Sequence, residues 1–249
     1  GVINLISNSP QFSSDKSSFK AKVVAKYMTG DMERTLRGEF GYSNKKFALL
    51  AGISKRSFGD IIGGDTTGKQ SPSGYNEWAF DVKAKFLLQQ NMQLTLASQF
   101  LQQQHVPVYH KVRLENFSLN EMDPQQRLLS YARLNMHSKS LLIKETAITF
   151  SFQQGIEGRN SLKNGTTVLR KEKDKIRTIG VTADVLSVIG KRWSANSGIE
   201  IYSDQVNSSR EDINTQTNIA ASKRGLYPDD SKYGNYSFYS LHHLHFGKW

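Results

Sequence analysis

The sequence predicts an all-β chain, an antiparallel up-and-down meander of about ten long strands, and three observations carry that expectation. Apolar and polar residues alternate with a period of two over stretch after stretch. No stretch of comparable length carries the stripe of an amphipathic helix. The connections fall into a short and a long class that alternate along the chain.

Taken in order, the first strand sets Phe19, Ala21, Val23, Ala25 and Tyr27 against Lys20, Lys22 and Lys26. Leu36, Phe40 and Tyr42 against Arg37 and Glu39 form the second, and a looser apolar run from Phe47 to Ile53 the third. The clearest is Trp78, Phe80, Val82, Ala84, Phe86 and Leu88, interleaved with Glu77, Asp81, Lys83, Lys85 and Gln89. Met92-Leu94-Leu96, Leu128-Ala132-Leu134-Met136, Ile148-Phe150-Phe152, Ile179-Val181-Ala183-Val185 and Ile199-Ile201 continue the rule, and Phe238 to Phe246 closes the series. Each reads as a strand with one wet face.

Short turns are expected at Ser43–Lys46, Gln89–Asn91, His137–Ser140 and Gly190–Arg192, which begin 46 to 53 residues apart. Between them stand the tight link at Gly30-Asp31 and the longer links Gly59 to Tyr75, His105 to Gln126, Gly155 to Lys175 and Asn207 to Tyr236. Short turns at one end and long loops at the other are the pattern of a transmembrane β-barrel. Length agrees: the strand Trp78–Leu88 has 11 residues, about 36 Å of chain, or about 28 Å along the barrel axis at a tilt of about 40°, against an apolar band about 25 Å tall. A propeller would fit four short strands into each period, where this chain has two long ones. A soluble β interaction module would alternate equally well but carry its polar face outside, so alternation leaves that rival open.

Composition narrows the function classes. There is no Cys, which removes disulfides, zinc–thiolate sites, iron–sulfur clusters and cysteine nucleophiles. The net charge of +11 favours an anionic partner, but the cations are spread along alternating faces and not gathered with stacking aromatics, so no nucleic-acid partner is expected. The longest apolar run, Phe47 to Ile53, has seven residues, far short of the roughly 20 of a spanning helix.

The stretch GGDTTGKQS, Gly63 to Ser71, nearly spells a phosphate-binding loop, but Gln70 stands where the magnesium-binding hydroxyl belongs. A mobile hairpin loop is the reading it supports. HHLH, His242 to His245, lacks an acidic or thiol partner at ligand spacing, so no metal and no cofactor are expected. RKEKDK, Arg170 to Lys175, carries both signs and reads as a solvated strand extension. No G-x-S-x-G elbow and no recognisable local pattern of carboxylates for acid–base work is present, so no enzymatic role is expected.

Three stretches together resemble one family. GVINLISN at Gly1 to Asn8 resembles the last plug strand of TonB-dependent outer-membrane receptors. HVPVYHKVRLENFSLNEMDPQQRLLSYARL, with Val106-Pro107, Asp123-Pro124-Gln125 and Tyr131, resembles an outer loop and its returning strand. EDINT and RGLYPDDSKYGNYSFY, Glu211 to Tyr239, resemble a later loop with a Tyr-Pro-Asp turn. One departure is His110, where relatives often carry an acidic residue.

The resemblance implies residues 1–8 as the C-terminal strand of the plug and 9–249 as the N-terminal part of a barrel of about 22 strands, with the native chain extending on both sides. It implies a receptor in the outer membrane of a Gram-negative bacterium that binds a scarce solute (a metal chelate, haem, vitamin or glycan) and imports it with energy passed on by TonB, which would act through an N-terminal region outside this chain. The alternative is a complete ten-strand outer-membrane barrel, an enzyme or adhesin. With the first strand running outward, the long links face the ligand, and Tyr109, His110, Arg113, Arg224, Tyr227 and Tyr233 are the candidates to hold its polar or anionic groups. An open sheet with an apolar face is expected to contact outer-membrane lipid and, isolated from it, to self-associate.

Overall fold

The alternation resolves into one continuous sheet in a computed structural model that describes residues 7–14, 16–30, 32–140 and 142–247. The strands β1 (Ser18–Met28), β2 (Glu33–Ser43) and β3 (Phe47–Phe58) come first. A small hairpin of β4 (Ile61–Ile62) and β5 (Lys69–Gln70) follows, then β6 (Tyr75–Gln89) and β7 (Met92–Gln104). After β8 (Val106–Pro107) and the short helix α1 (Tyr109–Arg113) come β9 (Phe117–His137), β10 (Glu145–Lys163), β11 (Val168–Val188), β12 (Trp193–Asn214), β13 (Ala220–Arg224) and β14 (Ser231–Leu244). The expected plug strand falls largely on residues 1–6, outside the described residues.

Sequence neighbours are spatial neighbours. The order is β1-β2-β3-β6-β7-β9-β10-β11-β12, all antiparallel, with β13 and β14 both on the far side of β12. Since Ser209 pairs with Arg224 and Val206 with Ser231, β13 and β14 act as one edge strand interrupted by an excursion, residues 225–230.

Register decides the two faces. Ile53 lies opposite Phe80, Phe80 opposite Phe100 and Phe100 opposite Leu128. Farther along, Leu134 faces Ile148, Ile148 faces Ala183 and Ala183 faces Ile199. This apolar band is the outward one: Val23 is 75% exposed, Phe150 51% and Phe238 73%. The opposite face shelters polar groups, with Glu77 4%, Lys83 9% and Thr95 6% exposed. A water-soluble sheet has the reverse arrangement, so the soluble module loses its distinguishing feature. No helix among the described residues is long and apolar enough to cross a membrane, which says nothing of strands.

The expected short turns are all present, at the same end of the sheet, and tied together. The Asn44 side-chain oxygen accepts the Lys46 and Phe47 amides at 2.9 and 2.8 Å, an Asx turn that fixes the β2–β3 hairpin. Asn91 Nδ2 donates to the His137 carbonyl at 2.9 Å, joining two adjacent turns.

The long links depart from expectation. Gly155 to Lys175 is not a loop: β10 and β11 run through it and turn only at 164–167. Likewise β9 starts at Phe117, inside the expected link from His105 to Gln126, and β12 continues to Asn214, inside the one from Asn207. These extensions lost the apolar alternation but keep cross-strand pairs, Arg159–Asp174 at 2.7 Å and Arg170–Asp212 at 3.3 Å. Backbone ladders need no apolar face where both faces are wet. Gly63 to Ser71 is the β4–β5 hairpin, not a strand–loop–helix unit.

Candidate functional site

The sheltered face and the long-link end form the candidate site. On that face β2, β3 and β6 supply an ionic lattice: Arg37 reaches Glu39 at 2.7 Å and Asp81 at 2.8 Å, and Arg56 reaches Glu77 at 2.9 Å. The N-terminal segment crosses this face. Lys83 Nζ donates to Ser7 Oγ at 2.7 Å, the Ser13 amide bonds the Asn44 carbonyl at 3.1 Å, and Pro10 is buried. A strand that alternates polar and apolar positions supplies such a face automatically once its register is fixed.

At the long-link end, two segments are braced. Asp60 accepts the Ser73 and Gly74 amides at 2.8 and 3.0 Å. Those backbone donors, the Ser73 amide foremost, pull its carboxyl below the usual range. Arg113 at the end of α1 donates through Nε to the Ser71 carbonyl at 2.6 Å, joining the 105–116 link to the 59–74 link.

The excursion at 225–230 is held from beneath. Asp174, 6% exposed, accepts Arg159 Nη2 at 2.7 Å and Ser208 Oγ at 2.5 Å. Ser208 Oγ in turn accepts the Tyr227 amide at 3.2 Å, and Asp229 accepts the Ser208 amide at 3.1 Å. Leu226 and Tyr227 thereby line a cleft of about 400 Å³ with Gln125, Gln153, Glu157 and Arg159, a mixed apolar and charged lining suited to a small polar ligand.

The six residues expected at the site divide into two groups. Tyr109, His110 and Arg113 sit together on α1, Tyr109 half-buried and the other two exposed. Tyr227 lines the cleft and Tyr233, opposite Asp204, shares the sheltered face of β12; Arg224, opposite Ser209, points to the other face. Among the described residues no hydrogen bond or ion pair joins the two groups.

Other residues of the site were missed by sequence reasoning. Arg159, Asp174 and Ser208 belong to expected long links, Asp174 within the run Arg170 to Lys175 that reads as a strand extension and does lie in β11, and nothing local marks them as partners. His105, Glu121 and Asp123 are the single set of three metal-ligand types brought together among the described residues; the Glu-x-Asp spacing on one strand was the available signal. The HHLH run does not assemble: His242 accepts Trp193 Nε1 at 3.0 Å on the outward face, and His243, opposite Ser194, faces the other way.

No family model matches the chain, and no curated protein matches it significantly. Solved structures do. The chain is similar to the copper transporter OprC, with a TM-score of 0.75 at 11% identity over 94% of this chain and 35% of that one. It is also similar to the ferric yersiniabactin uptake receptor FyuA from Yersinia pestis, with a TM-score of 0.51 at 10% identity over 90% of this chain and 37% of that one. The chain therefore spans little more than a third of the length of either. Likeness at such identity is a likeness of fold alone: the chain has the antiparallel strand meander of part of each of these two proteins.

Proposed function

We propose that this chain is part of an outer-membrane receptor of a Gram-negative bacterium, which captures a scarce extracellular solute and imports it with energy transmitted by TonB. The observation that carries the reading is the three-dimensional likeness, over 94% of the chain, to a copper transporter. A sheltered polar face crossed by the segment from Ser7 to Ser13 supports it. In this reading residues 1–8 are the end of a plug and 9–249 the barrel wall, the outward band meets lipid, and the long links meet the ligand. Import, not catalysis, is the activity.

Metal chelates are the first ligands to try, since one structural neighbour is described as a transporter of copper and another as a receptor for a ferric siderophore. Tyr227, Tyr233, Tyr109, His110, Arg113 and Arg224 are proposed contacts through aromatic faces and positive charge. The test is uptake of radiolabelled copper and ferric chelates by cells with and without the full-length gene, each with TonB present or deleted. Saturable uptake should require both. Uptake that survives loss of the gene, for every chelate tried, sinks the proposal.

A further inference from the structure

We propose that His105, Glu121 and Asp123 bind a divalent transition-metal ion at the root of the 105–116 link. The inference stands apart from import and rests on this chain's own residues. His105 lies 16 and 18 residues before Glu121 and Asp123, and pairing of β8 with β9, Val106 opposite Met122 and Pro107 opposite Glu121, brings it beside the two carboxylates. One ligand atom from each lies within 4.8 Å of the others.

The geometry matches coordination of an ion by all three groups. Two ligands each about 2.0–2.1 Å from a tetrahedral ion stand about 3.4 Å apart. His105 Nδ1 is 3.3 Å from Glu121 Oε2, a long hydrogen bond, and 3.6 Å from Asp123 Oδ2, whose Oδ1 accepts the His105 amide at 3.4 Å; both ring distances suit two edges of such a tetrahedron. Asn160 Nδ2 donates to Glu121 Oε1 at 3.1 Å, leaving the other oxygen to turn toward the ion, as outer partners of metal ligands do.

Charge supplies an independent observation. The chain carries +11, and several sheltered carboxylates have an arginine: Glu77 has Arg56, Asp174 has Arg159 and Asp212 has Arg210. Glu121 and Asp123, with side chains 14% and 23% exposed, have only the His105 ring within ion-pair distance among the described residues. Two adjacent, partly desolvated carboxylates without a fixed cation repel each other, and a bound dication removes that cost.

An imidazole in the set selects zinc, copper, nickel or iron over calcium and magnesium, which take oxygen ligands. Because His105 is itself 73% exposed on its side chain, a fourth position is open to water. The ion would clamp the end of β7 to β9 and so fix the link that carries Tyr109, His110 and Arg113.

The full-length protein in detergent micelles, stripped with chelator and titrated calorimetrically with Zn²⁺ near neutral pH, tests this. His105→Ala should bind one equivalent fewer than the wild type, and Asn160→Ala should weaken that equivalent about tenfold. Excess Ca²⁺ should not displace it. Because His105 is exposed, its variant should keep the wild-type circular dichroism, which separates loss of a ligand from loss of fold. Equal stoichiometry and affinity in wild type and His105→Ala would overturn the proposal, as would displacement of Zn²⁺ by Ca²⁺.

Discussion

The lower and upper halves of the strands share one sheet and obey different chemistry. In β10 the lower half sets Ile148, Phe150 and Phe152 outward, paired across β11 with Ala183, Val181 and Ile179. In its upper half, the paired positions are Glu157 with Asp174, Arg159 with Glu172 and Asn160 with Lys171. The ladder is continuous through both. In the proposed reading, what changes is the solvent each half is built for: an apolar medium against one face below, water against both faces above.

Strand length shows the same contrast across the sheet. β1 to β3 have 11 or 12 residues, about the length that crosses an apolar band. β9 to β12 have 19 to 22, so roughly half of each rises beyond the band at about 3.3 Å per residue. The taller wall is where Arg159, Asp174, Ser208 and the cleft at Tyr227 are found.

The largest test of the contrast removes the apolar medium. With Val23, Phe150 and Phe238 outward and the free edges of β1 and β14 unpaired among the described residues, the isolated chain in detergent-free buffer should self-associate. Light scattering that reports a monodisperse monomer would break the comparison.

Single charges should then divide the two halves. Phe150→Arg, in the lower half, should cost about 2–4 kcal/mol of stability in phospholipid vesicles. Ser209→Arg, on the same face but above the band, should change it by less than about 0.5 kcal/mol. Denaturant unfolding followed by Trp fluorescence measures both, and equal costs would mean that the band has been misplaced.

Within the upper half, Arg159→Ala leaves the sheltered Asp174 without its cation, at a cost of about 1–3 kcal/mol. The Ser208 link to Tyr227 should loosen with it. Protease cleavage should rise within 225–230 and stay unchanged at the short turns; a uniform rise would show a global effect instead.

The smallest expected effect concerns acid. Asp60 has its folded-state pKa lowered by the Ser73 and Gly74 amides, so its bracing of the 59–74 link is complete above its ordinary value of about 3.9 and is lost as pH falls through the lowered one. Hydrogen exchange at Ser73 and Gly74 should accelerate only below about pH 4. In Asp60→Ala their exchange should run close to the intrinsic rate of a free amide at every pH.

Where the sequence could be read, the reason was local. Trp78 to Leu88 announces its strand and its apolar face because each side chain alternates against its own neighbours, and Ser43 to Lys46 announces a turn by composition. Those two signals were enough for the meander, for the short-turn end and, through resemblance, for the fold shared with the two solved structures. Alternation, however, reports an apolar medium on one face and not strand structure itself. Gly155 to Lys175 loses the signal while remaining paired, and for that reason reads as a long link.

What the sequence determined by itself was the order of the strands and the sorting of their side chains into two faces, because both follow from a period of two repeated along the chain. Only the tertiary structure decided how tall the wall is, that Tyr227 hangs on Ser208 and Asp174, and that His105 meets Glu121 and Asp123. Each of those depends on registers between residues far apart in sequence, where a slip of one position would send the same side chains to the opposite face.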